Sequence, residues 1–521
     1  MSAATGLLHN AHRRADALRS RYRAAGVWSD RPLDVVRHAA ERHPLRAALV
    51  TRDAELTYAA LDERVDRASR ALRDAGVGAA TPIAVVVGND IGSVVAVHAA
   101  IRVDAVVLLV PRSAGPMQVS DIVTRSGARF GVAPDWRPAG ESPVRDACSW
   151  VDISRPSDGA APGRPVRPAD EPSFVLYTSG TTSRPKGVVH SLSTLAKAST
   201  NYIAAAGLGA DDRLFLISPL ASVTGVLQAL FIGPMLAAPV VLEDRWDPAA
   251  TYDLLLSSGA TWYGGPDRLL DRLLDEAAAR SNVVPLRAVY LGGTMLDRRI
   301  VERVEDDFGI TVMRAYGSSE VPVSTSGLRT ESRAVRHADD GVALDDVGVR
   351  VGSVGDPGEC CIKGPHAFLG YTDAEDDIKA FDGDWFRTGD VAEVSDNRVR
   401  VIGRIKDIVI RNGMKIAAAE VEEAVARIPG VRECAAYPVA DVVTGERLAV
   451  AMVLDGAVEM SLAEVAAELV SMGLPKYKLP EELVFWDEPL PVNANGKLQR
   501  NALEARSQGR PRVLADRLAR L

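Results

Sequence analysis

Short apolar runs alternate with amphipathic stretches through residues 45–170, and this alternation limits the folds open to the chain. Pro82–Val87 and Val106–Val110 are apolar runs of strand length, whereas Leu61–Ala75 and Ile91–Arg102 have the spacing of helices. Strands that alternate with helices predict a largely parallel sheet covered by helices. We therefore predict an α/β fold for this part of the chain.

The same pattern continues beyond residue 170 and changes near residue 340. Further strands are predicted at Ser173–Tyr177, Leu214–Ser218, Val240–Leu242, Trp262–Gly264, Val289–Leu291 and Val312–Ala315. Short β-rich pieces then indicate a β subdomain at about residues 340–403, and an α+β pattern follows it. We predict a large N-terminal domain of α/β layers over residues 1–405, which includes the β subdomain, and a small mobile α+β domain over residues 406–521.

Charge and cysteine content exclude several classes of protein. The 521 residues include 61 basic and 69 acidic side chains, for a net charge of −8, which argues against a protein that coats nucleic acid. The four cysteines have the spacing of neither a disulfide framework nor a zinc site. They are Cys148, Cys360, Cys361 and Cys434. We expect a reducing, cytoplasmic location.

Two segments bear on membrane attachment. The N-terminus lacks an apolar core with a cleavage site, so no secretion signal is predicted; it has instead the pattern of a basic amphipathic helix on the surface. The stretch from Leu214 to Leu242 carries no charge and is long enough to span a membrane. Its prolines, glycines and polar side chains predict a strand, a loop, a buried helix and a second strand instead.

The segment from Tyr177 to Gly187, which reads YTSGTTSRPKG, concentrates hydroxyl groups around Gly180. A flexible glycine lets backbone N–H groups and hydroxyls approach phosphate oxygens, and Lys186 adds a compact cation. Only nine of the 61 basic residues are lysines, so a lysine in such a loop is a strong candidate for specific chemistry. The spacing is not that of a P-loop. From this segment alone, a phosphate-binding loop and a solvated Ser/Thr-rich turn both remain open.

The segment resembles the phosphate-binding signature of the adenylate-forming superfamily, which includes acyl-CoA synthetases, luciferase-like enzymes and nonribosomal adenylation domains. Further segments resemble the motifs of that family in its order: Gly292–Thr294, Ala315–Glu320, Gly358–Pro365, Gly370–Tyr371, Trp385–Asp390, Gly403–Asp407 and Pro491–Lys497. The resemblance spans about residues 50–505. It implies an AMP-forming acid–thiol ligase that uses ATP, Mg²⁺ and coenzyme A.

The resemblance also assigns residues to the nucleotide and to its metal. Tyr316 would lie against adenine, Asp390 would accept hydrogen bonds from the ribose hydroxyls, and Arg404 would contact ribose or phosphate. Glu320, with Thr181, would hold Mg²⁺, a hard cation that prefers oxygen ligands. The remaining nucleotide-binding candidates are Thr178, Ser179, Gly180, Thr182, Lys186, Gly293, Thr294, Gly317 and Ser319.

Three positions in the C-terminal part complete the catalytic assignment by resemblance. Lys497 would stabilise charge that develops at the carboxylate and the α-phosphate. Lys406 would act as the hinge about which the small domain turns between two half-reactions. Gly413 would leave room for the pantetheine arm of coenzyme A, although a glycine in a tight turn remains an equal alternative from the local sequence.

Two departures from the family pattern bear on the substrate and on the reaction. Ser183 stands where the family has a phosphate-loop glycine. In the acyl-site segment, Ala221 and Ser222 replace two large rings, which predicts an enlarged acyl site lined also by Gly225 and Gly292. We expect a bulky hydrophobic carboxylic acid as substrate. An arginine-rich, lysine-poor chain suits a GC-rich bacterium and a role in secondary metabolism or catabolism.

Three alternatives to a complete acid–CoA ligase follow. The protein could catalyse only thioester formation, with the acyl-adenylate supplied by a partner enzyme. It could instead load the acyl group onto a carrier protein. A third hypothesis, from a different class, is an inactive nucleotide or acyl sensor, against which Lys497 and Glu320 argue.

Overall fold

The structure is a computed structural model that describes residues 6–134, 147–155, 163–178, 185–280, 283–292, 298–456, 460–492 and 498–519. The chain divides into two compact units. The first unit contains residues 1–349, 362–387 and 396–399, and the second contains residues 350–361, 388–395 and 400–521. The predicted fold class, a large α/β part with a smaller α+β part, is confirmed. The predicted division at residues 405 and 406 stays a prediction.

One sheet of the first unit has seven strands among the described residues. From one edge to the other these are Gly370–Tyr371, Lys186–Ser191, Pro172–Thr178, Val106–Pro111, Pro82–Val87, Phe130–Val132 and Ser149–Trp150. The strands from Pro172–Thr178 to Ser149–Trp150 run parallel to their neighbours, whereas Lys186–Ser191 is antiparallel to both of its own. Pro82–Val87 is buried along its whole length, as a parallel strand covered on both faces requires.

A second sheet of the first unit carries a parallel core. Its strands within this unit are, in order, Val342–Ala343, Thr325–Ser326, Thr311–Tyr316, Ala288–Gly292, Trp262–Gly265, Leu214–Leu216, Val240–Leu242, Ala47–Val50 and Glu55–Thr57. The strands from Thr311–Tyr316 to Ala47–Val50 are parallel to one another. Their carboxyl ends therefore lie along one edge, which is where open α/β sheets bind ligands.

Several helices of the first unit begin at a residue whose side chain caps them. Asp90 caps Ile91–Arg102, and Ser191 with Thr194 forms a capping box at Leu192–Ala206, which satisfies backbone N–H groups that the helix leaves free. The other helices are Val35–Arg42, Tyr58–Asp74, Pro116–Ser126, Pro248–Ser258, Asp267–Arg280, Arg298–Asp306, Arg333–Ala338 and Ala374–Ile378.

The N-terminal helix, His9–Ala24, belongs to the core of the first unit. Its Ala11, Ala15 and Tyr22 are buried against residues of the first sheet. The Nε1 of Trp28, just beyond the helix, donates to the Pro365 carbonyl at 2.8 Å. The helix is amphipathic, as predicted: its apolar face packs inward and Arg13 and Arg21 are exposed, although Arg14 packs over the Phe381 ring.

The uncharged stretch from Leu214 to Leu242 has the predicted order of a strand, a loop, a buried helix and a strand. After Leu214–Leu216, the chain forms a short α-turn at Val223–Gly225, a π-helix at Val226–Ile232 and another turn at Gly233–Leu236. The π-helix is buried throughout. Within the described residues, no helix is long and apolar enough to cross a membrane.

The second unit contains a six-stranded sheet among its described residues. Its strands are Met414–Ala417, Ile408–Arg411, Gly445–Leu454, Glu482–Trp486 and Arg512–Leu514 in order, with Val431–Asp441 paired to Gly445–Leu454. Helices Ala418–Val425 and Leu462–Ser471 contribute Val421, Val465 and Leu469 to one apolar cluster with this sheet. Shorter helices are Ile405–Asp407, Lys476–Lys478, Arg500–Ala502, Leu503–Arg506 and Asp516–Ala519.

The stretch from residue 348 to residue 404 alternates between the two units along the chain. It is rich in strands, as predicted for the β subdomain. Besides Gly370–Tyr371, these strands are Gly348–Val351, Glu359–Lys363, Phe381–Asp382, Trp385–Ser395 and Arg398–Arg404.

Candidate functional site

The predicted phosphate loop joins two paired strands of the first unit. Thr178 ends one strand, Lys186 begins the next, and the two residues face each other in the antiparallel ladder. The hairpin thus brings both candidates to one end of the sheet. The candidates Ser179, Gly180, Thr181 and Thr182, and the departure at Ser183, lie outside the described residues, so their assignment stays a prediction.

Lys186 contacts two side chains from the strand and helix that follow Gly370. Its Nζ lies 2.8 Å from Asp376 Oδ1 and 5.1 Å from the centre of the Tyr371 ring. The lysine is about one third exposed, so its ammonium group remains accessible to an anion. Sequence reasoning did not assign Asp376, although it lies in the acidic run Glu375–Asp377 that begins four residues after the recognised Gly370–Tyr371.

The motif from Tyr316 to Glu320 forms a tight turn at the carboxyl end of the strand Thr311–Tyr316. The Ser324 backbone N donates to the Tyr316 carbonyl at 2.9 Å, and the Ser318 backbone N donates to the Val321 carbonyl at 3.2 Å. A side chain at Gly317 would lie 2.5 Å from the backbone N of Val323, so the turn closes only with glycine there. The turn places Tyr316, Gly317, Ser319 and Glu320 within five residues on one strand end.

The Glu320 carboxylate meets the strand that carries Tyr371. The Tyr371 hydroxyl donates to Glu320 Oε1 at 2.8 Å. Burial, and next the negative charge of Glu320, raise the pKa of Tyr371 well above its usual value, so the phenol keeps its proton and remains a donor. Through Tyr371 the structure links the predicted metal ligand Glu320 to the predicted phosphate cation Lys186. Tyr371 was part of a recognised motif, but sequence reasoning gave it no role.

The strand that ends at Gly292 lies beside the strand that ends at Tyr316. Gly292 is the last residue of Ala288–Gly292 and pairs with Ala315, one residue before Tyr316. The candidates Gly293 and Thr294 lie outside the described residues. The register of the two strands therefore brings the start of the Gly292 motif next to the start of the Tyr316 motif.

The predicted acyl-site residues form a separate closed turn. The Ser222 hydroxyl donates to the Pro219 carbonyl at 2.6 Å and accepts from the Gly225 backbone N at 3.1 Å. A side chain at Gly225 would lie 2.3 Å from the Pro219 carbonyl oxygen. Ala221 is buried. Local hydrogen bonding thus uses Ser222 and Gly225 to close the turn, a role that sequence reasoning did not assign to them.

In the second unit, Asp390 and Arg404 form an ion pair. Arg404 Nε lies 3.3 Å from Asp390 Oδ1, and the Arg404 side chain is 53% exposed whereas that of Asp390 is 12% exposed. The Asp390 backbone N donates to Thr388 Oγ1 at 3.1 Å. The structure therefore brings these two predicted nucleotide ligands together within one unit.

Lys406 and Gly413 lie farther along the same unit. Lys406 is in the short 3₁₀ turn Ile405–Asp407, where burial, followed by the positive charge of Arg404, lowers its pKa. Gly413 is at the turn between the strands Ile408–Arg411 and Met414–Ala417. Lys497 lies outside the described residues. The hinge, pantetheine and catalytic roles of these three residues stay predictions.

The donor set around Glu320 fits a hard divalent cation bound together with phosphates. Mg²⁺ is commonly held by one or two carboxylates plus substrate phosphates and water, and does not require a complete protein cage. Glu320 supplies the carboxylate, and the cation nearby is Lys186. Within the described residues, no three or more His, Cys, Asp or Glu side chains form a group that could hold a metal ion.

Two family models match the chain. The family described as AMP-binding enzyme matches residues 36–372, and the one described as AMP-binding enzyme C-terminal domain matches residues 420–497. The first match covers more than half of the chain and includes Lys186, Glu320 and Tyr371. The second lies wholly within the second unit.

Similar proteins of known activity are aligned over nearly the whole chain. A salicylyl-CoA synthase/salicylate adenylyltransferase of Streptomyces sp is 29% identical, with 93% of this chain and 95% of that protein covered. A salicyl-AMP ligase/salicyl-S-ArCP synthetase of Mycobacterium tuberculosis is 29% identical, with 92% of both chains covered.

Among solved structures, the O-succinylbenzoate coenzyme A synthetase of Bacillus subtilis with ATP and magnesium ion has the same fold. Its TM-score is 0.79 at 23% identity, and the alignment covers 90% of this chain and 99% of that one. With the ordered motifs and the two matching families, this similarity confirms the predicted superfamily: the chain belongs to the AMP-binding enzymes, in the acyl-CoA synthetase branch of the adenylate-forming superfamily.

Proposed function

We propose that the protein is an ATP-dependent acid–CoA ligase that forms an acyl-adenylate and transfers its acyl group to coenzyme A. The observation that carries the proposal is the contact of Tyr371 with both Glu320 and Lys186. This contact gathers a carboxylate for Mg²⁺ and a cation for phosphate around one tyrosine side chain of an AMP-binding enzyme.

The reaction has two displacements. A carboxylate oxygen of the acid attacks the α-phosphorus of ATP, the bond to the bridging oxygen breaks, and pyrophosphate leaves. The thiolate of coenzyme A then attacks the acyl carbonyl carbon, the bond to the phosphate oxygen breaks, and AMP leaves. Both steps depend mainly on positioning and on charge neutralisation.

The described residues of the first unit supply parts of this chemistry. Glu320 would hold Mg²⁺, which neutralises phosphate charge when it is bound. Lys186 would leave Asp376 and contact the phosphates of the nucleotide. Tyr371 keeps the Glu320 carboxylate oriented by a neutral hydrogen bond, so that the carboxylate retains its full charge for the cation.

Residues of the second unit would act on the ribose and on the acyl acceptor. Asp390 would accept hydrogen bonds from the ribose hydroxyls, with Arg404 at the ribose or the phosphate. Lys497 would stabilise the charge of the first displacement, Lys406 would serve as the hinge, and Gly413 would face the pantetheine arm.

A bulky, largely apolar carboxylic acid is the proposed substrate class. The support is the small side chains at Ala221 and Ser222, in a segment that leads into the buried π-helix Val226–Ile232. Because the Ser222 hydroxyl is engaged by Pro219 and Gly225, it offers little polarity to an acid that lies against it. We place the reaction in the cytoplasm.

The test is pyrophosphate release from ATP and Mg²⁺ with a panel of carboxylic acids of increasing size, followed by thioester formation after coenzyme A is added. Release with bulky apolar acids and thioester formation supports the proposal. Thioester formation from a synthetic acyl-adenylate, without pyrophosphate release from any acid, would favour a partner enzyme that makes the adenylate. Nucleotide binding without either half-reaction would favour an inactive sensor.

Loading of a carrier protein is a second candidate. It is favoured by the relative named salicyl-S-ArCP synthetase, which is 29% identical over 92% of this chain. The activation step is the same, and the acceptor thiol differs. Parallel assays with coenzyme A and with a phosphopantetheinylated carrier protein, both at limiting acceptor concentration, separate the two.

A further inference from the structure

The strand Lys186–Ser191 carries a histidine on the same face as the phosphate-loop lysine. Side chains alternate along a strand, so residues 186, 188 and 190 point to one face. The strand Gly370–Tyr371 pairs with it, with Tyr371 opposite Val188. Lys186 and His190 therefore flank the position where Tyr371 is anchored, although His190 lies in none of the recognised motifs.

His190 is fully buried and makes two hydrogen bonds. Its Nε2 lies 2.7 Å from the Ser319 carbonyl oxygen, and its Nδ1 lies 3.0 Å from Thr194 Oγ1. A carbonyl oxygen only accepts, so Nε2 carries the proton and donates. Burial lowers the pKa of His190 to about 4. The ring is therefore neutral near pH 7, and its unprotonated Nδ1 faces the Thr194 hydroxyl, which also donates to the Ser191 carbonyl at 2.9 Å.

The Ser319 carbonyl belongs to the peptide group that precedes Glu320. The N–H of that same peptide donates to Ser318 Oγ at 3.2 Å. The next carbonyl, that of Glu320, accepts from the Phe368 backbone N at 2.7 Å. Both peptide planes beside the Glu320 Cα are thus restrained, which sets the direction of its side chain.

The turn that follows Tyr316 includes a residue with an unfavourable backbone conformation, which the surrounding contacts must hold in place. Val323 has a φ of +46°, which is rare for a β-branched residue. Unusual backbone angles persist where the surrounding structure enforces them, and they cluster at functional sites. The buried ring of His190 restrains the backbone of the turn, whereas Tyr371 acts on the carboxylate itself.

We propose that His190 is a positioning residue that directs Glu320 toward the Mg²⁺–ATP complex by its hydrogen bond to the Ser319 carbonyl. The strand Lys186–Ser191 would then contribute twice to the site. Lys186, at its start, would contact phosphate, and His190, four residues later, would position the turn that carries Glu320. The inference rests on the proposed function, in which Glu320 holds Mg²⁺.

Two neutral amide substitutions provide a matched pair. In His190→Gln, the amide nitrogen lies near the position of the imidazole Nε2 and can still donate to Ser319. In His190→Asn, the shorter side chain places its amide nearer the position of Nδ1 and leaves the Ser319 carbonyl without its donor. Both variants keep a polar, uncharged group in the same buried space, so the reach of the donor is the main difference.

The readout is ATP binding by the full chain, measured by calorimetry with Mg²⁺ and again in excess EDTA, without any acid. We expect His190→Asn to weaken binding of Mg²⁺–ATP about tenfold, as for the loss of a hydrogen bond that orients a charged group. His190→Gln should remain within about threefold of the wild type on the same basis. Binding of ATP in EDTA should be equal in all three proteins.

A second buried histidine controls for loss of stability. His98 is also buried, with its pKa lowered to about 4 by burial, and it lies in the helix Ile91–Arg102. His98→Asn should lower the melting temperature and leave Mg²⁺–ATP binding unchanged.

The inference is overturned if His190→Asn binds Mg²⁺–ATP as the wild type does, or if His190→Gln loses as much as His190→Asn. It also fails if His98→Asn, at a similar melting temperature, weakens binding equally. Failure of the proposed function is distinguishable, because the wild type itself would then bind ATP no better with Mg²⁺ than in EDTA.

Discussion

The two compact units hold their candidate carboxylates by different means. In the first unit, Glu320 accepts a hydrogen bond from the neutral hydroxyl of Tyr371, next to a carbonyl that faces the buried ring of His190. In the second unit, Asp390 pairs with the guanidinium of Arg404, a side chain that is 53% exposed. A neutral partner orients a carboxylate and leaves its charge for an external cation, whereas a guanidinium already balances that charge.

The two units also differ in their content of histidine, the side chain that titrates between neutral and acidic pH. All eight histidines of the sequence lie in the first unit: His9, His12, His38, His43, His98, His190, His337 and His366. Three of them, His98, His190 and His366, are buried. The first unit therefore contains buried neutral groups that acid can protonate. The second unit has no histidine, and its described part holds buried carboxylates in ion pairs, such as Glu482 with Arg447 and Asp441 with Arg517. Acid and three substitutions test this contrast.

The largest effect is expected from acid. Burial lowers the pKa values of His98 and His190 to about 4 and that of His366 to about 3, against about 6.5 in the unfolded chain. The unfolded chain therefore binds more protons than the folded chain between pH 6.5 and pH 4. The free energy of unfolding of the first unit should fall by several kcal/mol, because each tenfold difference in proton affinity between the two states corresponds to about 1.4 kcal/mol.

Hydrogen exchange on the full chain at pH 7 and pH 4.5, corrected for intrinsic exchange rates, measures this effect by peptide. Peptides of the first unit should lose protection strongly, and peptides of the second unit weakly. Asp441 of the second unit should stay ionised at pH 4.5, because backbone N–H groups, first that of Thr444, lower its pKa to about 2. An equal loss in both units would contradict the contrast.

Glu320→Gln should be the most damaging single substitution for the chemistry. The amide keeps the shape of the side chain but removes the charge that would bind Mg²⁺, and we expect pyrophosphate release to fall about 100-fold or more. The matched control is Glu302→Gln. Glu302 lies on an exposed helix face, where it pairs with Arg298 at 2.7 Å, and its loss should leave the rate unchanged.

Tyr371→Phe should have an intermediate effect. Removal of the hydroxyl leaves Glu320 charged but without its described hydrogen-bond donor, and we expect Mg²⁺-dependent ATP binding to weaken about tenfold. Tyr437→Phe is the control in the second unit, where the hydroxyl makes a 3.0 Å hydrogen bond to Ser507. If both variants bind Mg²⁺–ATP alike, Tyr371 does not orient the metal ligand.

Arg404→Ala should have the smallest effect on stability. The ion pair with Asp390 is partly exposed, and such pairs contribute about 0–1 kcal/mol, so thermal unfolding should change little. Arg400→Ala, which removes an exposed pair with Glu393, is the comparison. A much larger loss of stability for Arg404→Ala would mean that the second unit, like the first, depends on a site residue for its fold.

Much of the secondary structure could be predicted from residue periodicity. The strands Pro82–Val87 and Val240–Leu242 and the helix Ile91–Arg102 have the predicted bounds, because buried parallel strands are short continuous apolar runs and because Asp90 is a clear helix start. The N-terminal helix was also located correctly as an amphipathic helix, but its burial of Ala11, Ala15 and Tyr22 against the first sheet was not predicted, since that contact depends on the tertiary fold.

In the candidate site, too, the sequence identified some residues, whereas the roles of others became clear only from the structure. Motif order was enough to single out Lys186, Tyr316 and Glu320, since each lies at a strand end where functional side chains gather. It did not assign roles to Tyr371, Asp376 or His190, because their contacts join segments that are distant in the chain and depend on strand pairing. A lone histidine within an apolar strand was the available signal for His190, and it is equally typical of a histidine buried for packing alone.

By itself, the sequence determined the family, the α/β class and the chemical identity of the candidate ligands, because periodicity and ordered motifs are local properties of the chain. The tertiary structure alone decided which neutral groups orient those ligands. Packing between the two sheets of the first unit placed Tyr371 against Glu320 and His190 against Ser319, and the turn at Pro219–Gly225 engaged the Ser222 hydroxyl. The physical reason is that a hydrogen bond requires two groups at a defined distance and direction, which only the folded chain provides.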